Sequence, residues 1–289
     1  MTTLCELFES GKFVVTCEVG PPKGVDIQEM LETAELLRGR VHALNVTDQQ
    51  ASVMRLGSLA VCHLLKERSL EPVFQITCRD RNRIALQSDL LSAYVLGVEN
   101  VLCLTGDYVS LGDHPQAKPV FDLDSVSLLQ AASRLREGKD LMGNELQGNP
   151  DFCLGAVVTP GADPLELQII KMEKKVKAGA RFFQTQAVYD TKEFESFMKA
   201  VAYLNVPVMV GIVLLKSAGM ARFMNKNVAG VHVPDALITE MEEAPSKPQK
   251  SIEIAARIIK ETKDMCQGVH LMPIGWEKRV PAVLDAAGL

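Results

Sequence analysis

The sequence predicts an α/β fold: a single-domain (β/α)8 TIM barrel over residues 1–289, with extra helices before the last strand. Three observations carry this expectation. Short apolar runs rich in Val, Ile and Phe alternate with amphipathic stretches along the chain. A unit of helix, glycine turn and apolar run recurs, as LGVENVLCL at 96–104, AGARFFQTQ at 178–186 and QGVHLMPIG at 267–275. A length of 289 residues is long for an ordinary domain and typical of one such barrel.

The elements follow in order. FVVTCE at 13–18 is β-branched and apolar up to its final acid, so it reads as a strand buried on both faces. Similar runs predict strands at 41–47, 72–78, 99–105, 153–159, 181–186, 207–214 and 269–274. The stretches between them have apolar residues at helical spacing, predicting helices near 27–38, 54–68, 82–96, 124–137, 163–178 and 191–204. Asp163-Pro164 and Asp190-Thr191 read as helix starts. Further helices are expected near 217–226, 234–243 and 247–266, and a closing one near 276–286. Alternation of this kind implies parallel strands joined by right-handed crossovers. An open doubly wound sheet competes, but its glycine-rich phosphate loop would follow the first strand, where this chain has EVGPPKG. The Gly- and Asn-rich stretch 138–150 reads as a connection on the helix side.

Composition narrows the function. The net charge is −5 and aromatics make up 5% of residues, so a basic, ring-bearing nucleic-acid surface is not expected. No run approaches the roughly 20 apolar residues of a membrane span. The seven cysteines form no C-x-x-C pair. With polar, mixed-charge residues at 1–12 that do not resemble a signal peptide, they predict free thiols in a reducing, cytoplasmic setting.

Active sites in such barrels form at the carboxyl ends of the strands. Those ends carry Glu18, then Asn45, Thr47, Asp48 and Gln49, then Gln75 and Thr77. Thr105 and Asp107 flank Gly106, Gln184 and Gln186 end the sixth strand, and Lys216 follows the seventh. Two carboxylates, Glu18 and Asp107, on non-adjacent strands among amides and hydroxyls make an acid/base site. An acid held away from water favours its proton-bearing form, which suits proton donation. Gly20-Pro21-Pro22 stiffens the chain behind Glu18. Each strand-end acid could equally cap a loop. The histidines 42, 63, 114, 232 and 270 are scattered without metal spacing, so no metal site is expected. Lys174, Lys175 and Lys177 read as a solvated helix face from which one lysine could reach a cofactor phosphate. Met220, Phe223 and Met224 read as core packing.

From about residue 11 to about residue 275 the chain resembles the methylenetetrahydrofolate reductases. The likeness rests on CEVGPP with Glu18, NVTD with Thr47, QITC, LCLTGD with Asp107, and KKVKAGARFFQTQAVYD with Gln186 and Asp190. The resemblance implies a flavin enzyme (FMN or FAD) of one-carbon metabolism that reduces 5,10-methylenetetrahydrofolate to 5-methyltetrahydrofolate. Electrons would come from NAD(P)H directly or through an electron-transferring partner subunit, in a homo-oligomer or a hetero-complex. It implies Glu18 as general acid, Asp107 as stabiliser of positive charge and Gln186 as a substrate contact. Thr47 and Lys175 match flavin-contacting positions, and Gln75, Thr105, Gly106, Asp107, Lys171 and Lys174 complete the expected cofactor set. The family's arginine before Gly-Asp is Thr105 here, and its histidine on the third strand is Gln75. A pterin-binding methyltransferase barrel without flavin, and a non-catalytic barrel subunit, are the alternative readings.

Overall fold

The computed structural model describes residues 2–289; the expectations for residue 1 lie outside the described residues. Eight parallel strands close into a barrel in sequence order, β1 pairing with both β2 and β8. They are β1 (Val14–Val19), β2 (Ala43–Val46), β3 (Pro72–Thr77), β4 (Asn100–Leu104), β5 (Cys153–Val158), β6 (Phe182–Ala187), β7 (Val208–Val213) and β8 (Gly268–Met272). The predicted (β/α)8 class and all eight strands are therefore present, each within a residue or two of its expected bounds.

Outside the barrel lie α2 (Gln28–Leu36), α3 (Ser58–Glu67), α4 (Arg83–Val95), α5 (Ser125–Arg136), α6 (Leu165–Lys177) and α7 (Thr191–Val201). The extra helices α8 (Ala218–Asn227), α9 (Asp235–Glu243) and α10 (Lys247–Thr262) precede β8, and α11 (Val280–Ala287) closes the chain. Asp190 caps α7, accepting from the backbone N–H groups of Lys192 and Glu193. The other expected start is displaced: α6 begins at Leu165, with Pro164 at its N-cap and no side-chain cap. Of the three repeated glycines, Gly97 and Gly179 end their helices in the left-handed region as expected. Gly268 instead opens β8, where an added Cβ would overlap the Val14 carbonyl of the adjacent strand.

One element has no counterpart in the sequence reading. Residues Leu4–Glu9 form a short helix, α1, with a capping box between Thr3 and Glu6. Leu4, Cys5 and Leu7 are buried against the inward residues Val14, Ala43, Val73, Leu102, Phe182 and Met209. The helix thus plugs the amino-terminal end of the barrel. Asn100 fixes it by accepting from the Leu4 N–H at 2.8 Å while donating to Glu71 at 2.9 Å. The expectation of free cysteines is corrected here: Cys5 of this helix is disulfide-bonded to Cys153 of β5. The other five cysteines are free and buried.

Inward positions change character along the pore. The lower layer is apolar; above it come Thr16, Asn45, Gln75, Gln184 and His270, all buried. This gradient closes one end and leaves a polar mouth at the other. Among the described residues no helix is long and apolar enough to cross a membrane.

Candidate active site

A cavity of about 620 Å³ occupies the mouth, lined from β1, β2, β3, β4, β5, β6 and β8 and by α6. Glu18 points into it from the end of β1, with its side chain 13% exposed. Gln50 donates to Glu18 Oε2 at 3.3 Å and Gln75 to Oε1 at 3.5 Å. His270 Nε2 lies 3.8 Å from Oε1, and its Nδ1 meets the Thr16 hydroxyl at 2.9 Å. Beneath, Asn45 and Gln184 exchange amide hydrogen bonds at 2.9 and 3.3 Å, and Gln184 also donates to Thr16 at 3.2 Å. The floor is therefore a satisfied polar network that fixes the ring of His270 beside the acid.

The expected residues can be placed one by one. Gln75, Thr105, Gly106, Asp107, Lys171, Lys174, Lys175 and Gln186 line the same cavity as Glu18. Asp107 is exposed, and its carboxylate makes no hydrogen bond or ion pair among the described residues. Gln186 is exposed to the cavity, lifted by a register shift between Gln184 and Ala187 in which Gly211 N–H donates to the Thr185 hydroxyl at 2.8 Å. Gly106 has φ +93°, and a Cβ there would come within 3.2 Å of both Thr77 and Arg79 side chains. Only glycine suits that bend. The Thr105 hydroxyl is occupied in accepting from Ser125 N–H at the start of α5, at 3.1 Å. Thr47 lines not this cavity but a second one on the other side of Glu18.

The solvated lysine face needs correction. Lys171 and Lys174 are exposed at the cavity rim, but Lys175 is only 8% exposed. Its ammonium donates to the Val157 carbonyl at 2.6 Å. Burial, reinforced by Lys171, lowers its pKa to about 8. Phe223, expected in the core, is 62% exposed, while Met224 is buried. Asp48 is fully committed to structure: it accepts from Thr77 N–H and hydroxyl, both at 2.9 Å, and from Arg81 at 2.8 and 3.2 Å.

Sequence reasoning missed three residues. His270 was set aside with the other histidines; the signal was its inward parity on β8, aligned with Thr16 of β1. Gln50 lies on the loop after β2, where Gln49, Ala51 and Ser52 all have positive φ. Arg79, buried after β3, holds this loop by donating to the Ser52 hydroxyl at 3.1 Å and the Gln49 carbonyl at 3.4 Å. Ser52 in turn donates to the Asp107 and Tyr108 carbonyls at 3.1 and 2.9 Å. Such strain persists only where the surroundings over-determine it. One pinned loop thereby sets Gln50 on Glu18 and ties down the segment bearing Asp107.

Comparison with known proteins bears on the fold and the family. A solved structure titled "Uncharacterized protein from Clostridium thermocellum binds two copies of 5-methyl-5,6,7,8-tetrahydrofolic acid" superposes with a TM-score of 0.67, covering 97% of each chain at 16% identity, which supports the fold. "Methylenetetrahydrofolate reductase 2" of Schizosaccharomyces pombe is 25% identical over 259 residues, covering 80% of this chain and 38% of that protein. The chain likewise spans 36% of "Methylenetetrahydrofolate reductase 1" of that yeast, but 81% of the "5,10-methylenetetrahydrofolate reductase" of Pectobacterium carotovorum, at 23% identity. The sequence profile described as Methylenetetrahydrofolate reductase matches residues 3–288. With that match over nearly its whole length, the chain belongs to the methylenetetrahydrofolate reductase family.

Proposed function

We propose that the chain is a flavin-dependent reductase converting 5,10-methylenetetrahydrofolate to 5-methyltetrahydrofolate. The observation that carries this reading is Glu18: a shielded carboxyl at a barrel mouth, facing a cavity with three lysines on α6, in a chain of this family.

The residues present suit a flavin. Lys171, Lys174 and Lys175 supply positive charge for its phosphate, and Gly106 makes the tight bend, against Thr77 and Arg79, that sets Thr105 and Asp107 on the cavity. Gln75, Thr105 and Asp107 lie along the same cavity and complete the polar lining we assign to the cofactor. Thr47, which faces the neighbouring cavity, supports it at most from behind Glu18. When bound, FMN or FAD supplies the hydride.

The protein's own part is proton and charge management. Glu18 gives a proton to the ring nitrogen of the folate whose bond to the bridging carbon breaks, leaving a cationic iminium on the substrate. The Asp107 carboxylate, free of protein partners among the described residues, faces that charge and lowers its energy. The Gln186 amide orients the pterin by hydrogen bonds, and the lining of the mouth keeps water from the cation. Electrons enter from NAD(P)H or from an electron-transferring partner subunit in a homo-oligomer or hetero-complex. We also assign the protein to the cytoplasm, on its five free thiols; the Cys5–Cys153 bridge is the one feature among the described residues that points to an oxidising setting.

A visible spectrum of the purified protein tests the reading. The expected result is an oxidised flavin spectrum, bleached by NADH or dithionite and restored by 5,10-methylenetetrahydrofolate. A protein that stays colourless when FMN and FAD are added contradicts it.

A further inference from the structure

Glu18 forms part of the wall between two cavities. Besides the mouth, a second cavity of about 520 Å³ reaches it from the side, between β1, α2 and the segment after β8. Gln50 lines both, with its amide on Glu18 Oε2 at 3.3 Å. The side cavity is polar and acidic: Asp26 and Glu29 are exposed at its edge, and half-buried Glu277 accepts from Gly275 N–H at 2.8 Å.

Two further features mark it as a place for water. Thr47 lines the cavity, is 2% exposed, and its buried hydroxyl has no hydrogen-bond partner among the described residues. A buried hydroxyl of this kind gains from a hydrogen bond with any water that reaches it. Gly20 leaves the space before it open, since an added Cβ would already lie 4.0 Å from Thr47 Oγ1.

We infer that this side cavity is the water-filled inlet through which Glu18 regains its proton while the mouth is filled. The inference rests on the reading of Glu18 as the proton donor. Each turnover takes one proton from the Glu18 carboxyl. With cofactor and substrate in the mouth, return from above is blocked. A hydronium entering past Asp26, Glu29 and Glu277 passes its proton through the side cavity to the Glu18 carboxylate, which lines it, releasing one water and restoring the acid. The groups facing Glu18 are consistent with this direction. Cys17, its neighbour on β1, is a thiol that burial keeps protonated, with Glu18 and Glu277 adding to that effect. Gln50 and Gln75 do not titrate, and His270 approaches from the opposite, pore side. Arg55 is held on the Pro21 carbonyl at 3.2 Å.

The test is Gly20→Val, which fills the space before Thr47 without touching Glu18; Glu277→Gln is the second variant, at the other wall. With the mouth filled by 5-methyltetrahydrofolate, a pH jump is followed by the infrared carbonyl band of the protonated carboxyl, assigned by its loss in Glu18→Gln. We expect protonation to slow by about tenfold in Gly20→Val when folate is bound, and to match wild type when the mouth is empty. Protonation at the wild-type rate in both variants with the mouth filled overturns the inlet. So does slowing that is equal with the mouth filled or empty. If Glu18→Gln turns over folate as fast as wild type, the general-acid reading itself fails, a result separable from failure of the inlet.

Discussion

Gln50 donates to Glu18 Oε2 at 3.3 Å from a loop whose backbone is left-handed at the residues on either side of it, Gln49 and Ala51. The acid is thus oriented by a strained segment that Arg79 holds in place from the neighbouring strand end.

Replacing that donor has a defined consequence. Gln50→Ala should lower folate turnover by about tenfold, the equivalent of one hydrogen bond. Steady-state kinetics should show the loss in kcat, with the rate of flavin reduction unaltered.

Arg79 acts one step further back. Arg79→Ala leaves the Ser52 hydroxyl and Gln49 carbonyl without their buried donor and should cost about 1–3 kcal/mol of stability. Urea denaturation measures the cost. Because Ser52 also holds the Asp107 segment, the variant should lose folate affinity as well.

Lys175 gives the site a pH dependence with a fixed sign. Its pKa falls from 10.5 to about 8 on folding, so between these values the native state binds fewer protons than the unfolded chain. Stability therefore rises with pH across that window. Affinity for a phosphate-bearing flavin runs the other way, tightening as pH falls through about 8 and Lys175 becomes charged. FMN fluorescence titrations above and below this pH check it, and Lys175→Met should bind weakly without the pH step.

At the closed end of the barrel, Leu4 is fully buried in the plug. Leu4→Ala should cost about 2–5 kcal/mol in thermal or chemical denaturation. The bound-flavin spectrum should not change, because the cavity lies at the opposite end.

The barrel was legible because its strands are buried on both faces and announce themselves as short apolar runs, and because Glu18, Asp107 and Gln186 sit at strand ends where the fold puts chemistry. What escaped did so for local reasons. The plug helix Leu4–Glu9 is six residues long, too short for helical periodicity to stand out. Lys175 sits among other lysines on α6, and nothing in that run says which one turns into the gap beside Val157. His270 and Glu18 are 252 positions apart in the chain and meet only because β8 pairs with β1. Cys5 and Cys153 are separated by 148 positions, and sequence spacing gave no hint of their pairing. Gln50 and Arg79 depend on loop conformation, which side-chain patterning does not encode.

The account turns on the proton carried by Glu18, and stopped-flow measurement of both half-reactions in Glu18→Gln tests it most directly. We predict flavin reduction within about twofold of wild type and folate-dependent reoxidation slower by about 10²-fold or more, the range general acid catalysis supplies. Reoxidation by 5,10-methylenetetrahydrofolate at the wild-type rate would contradict it.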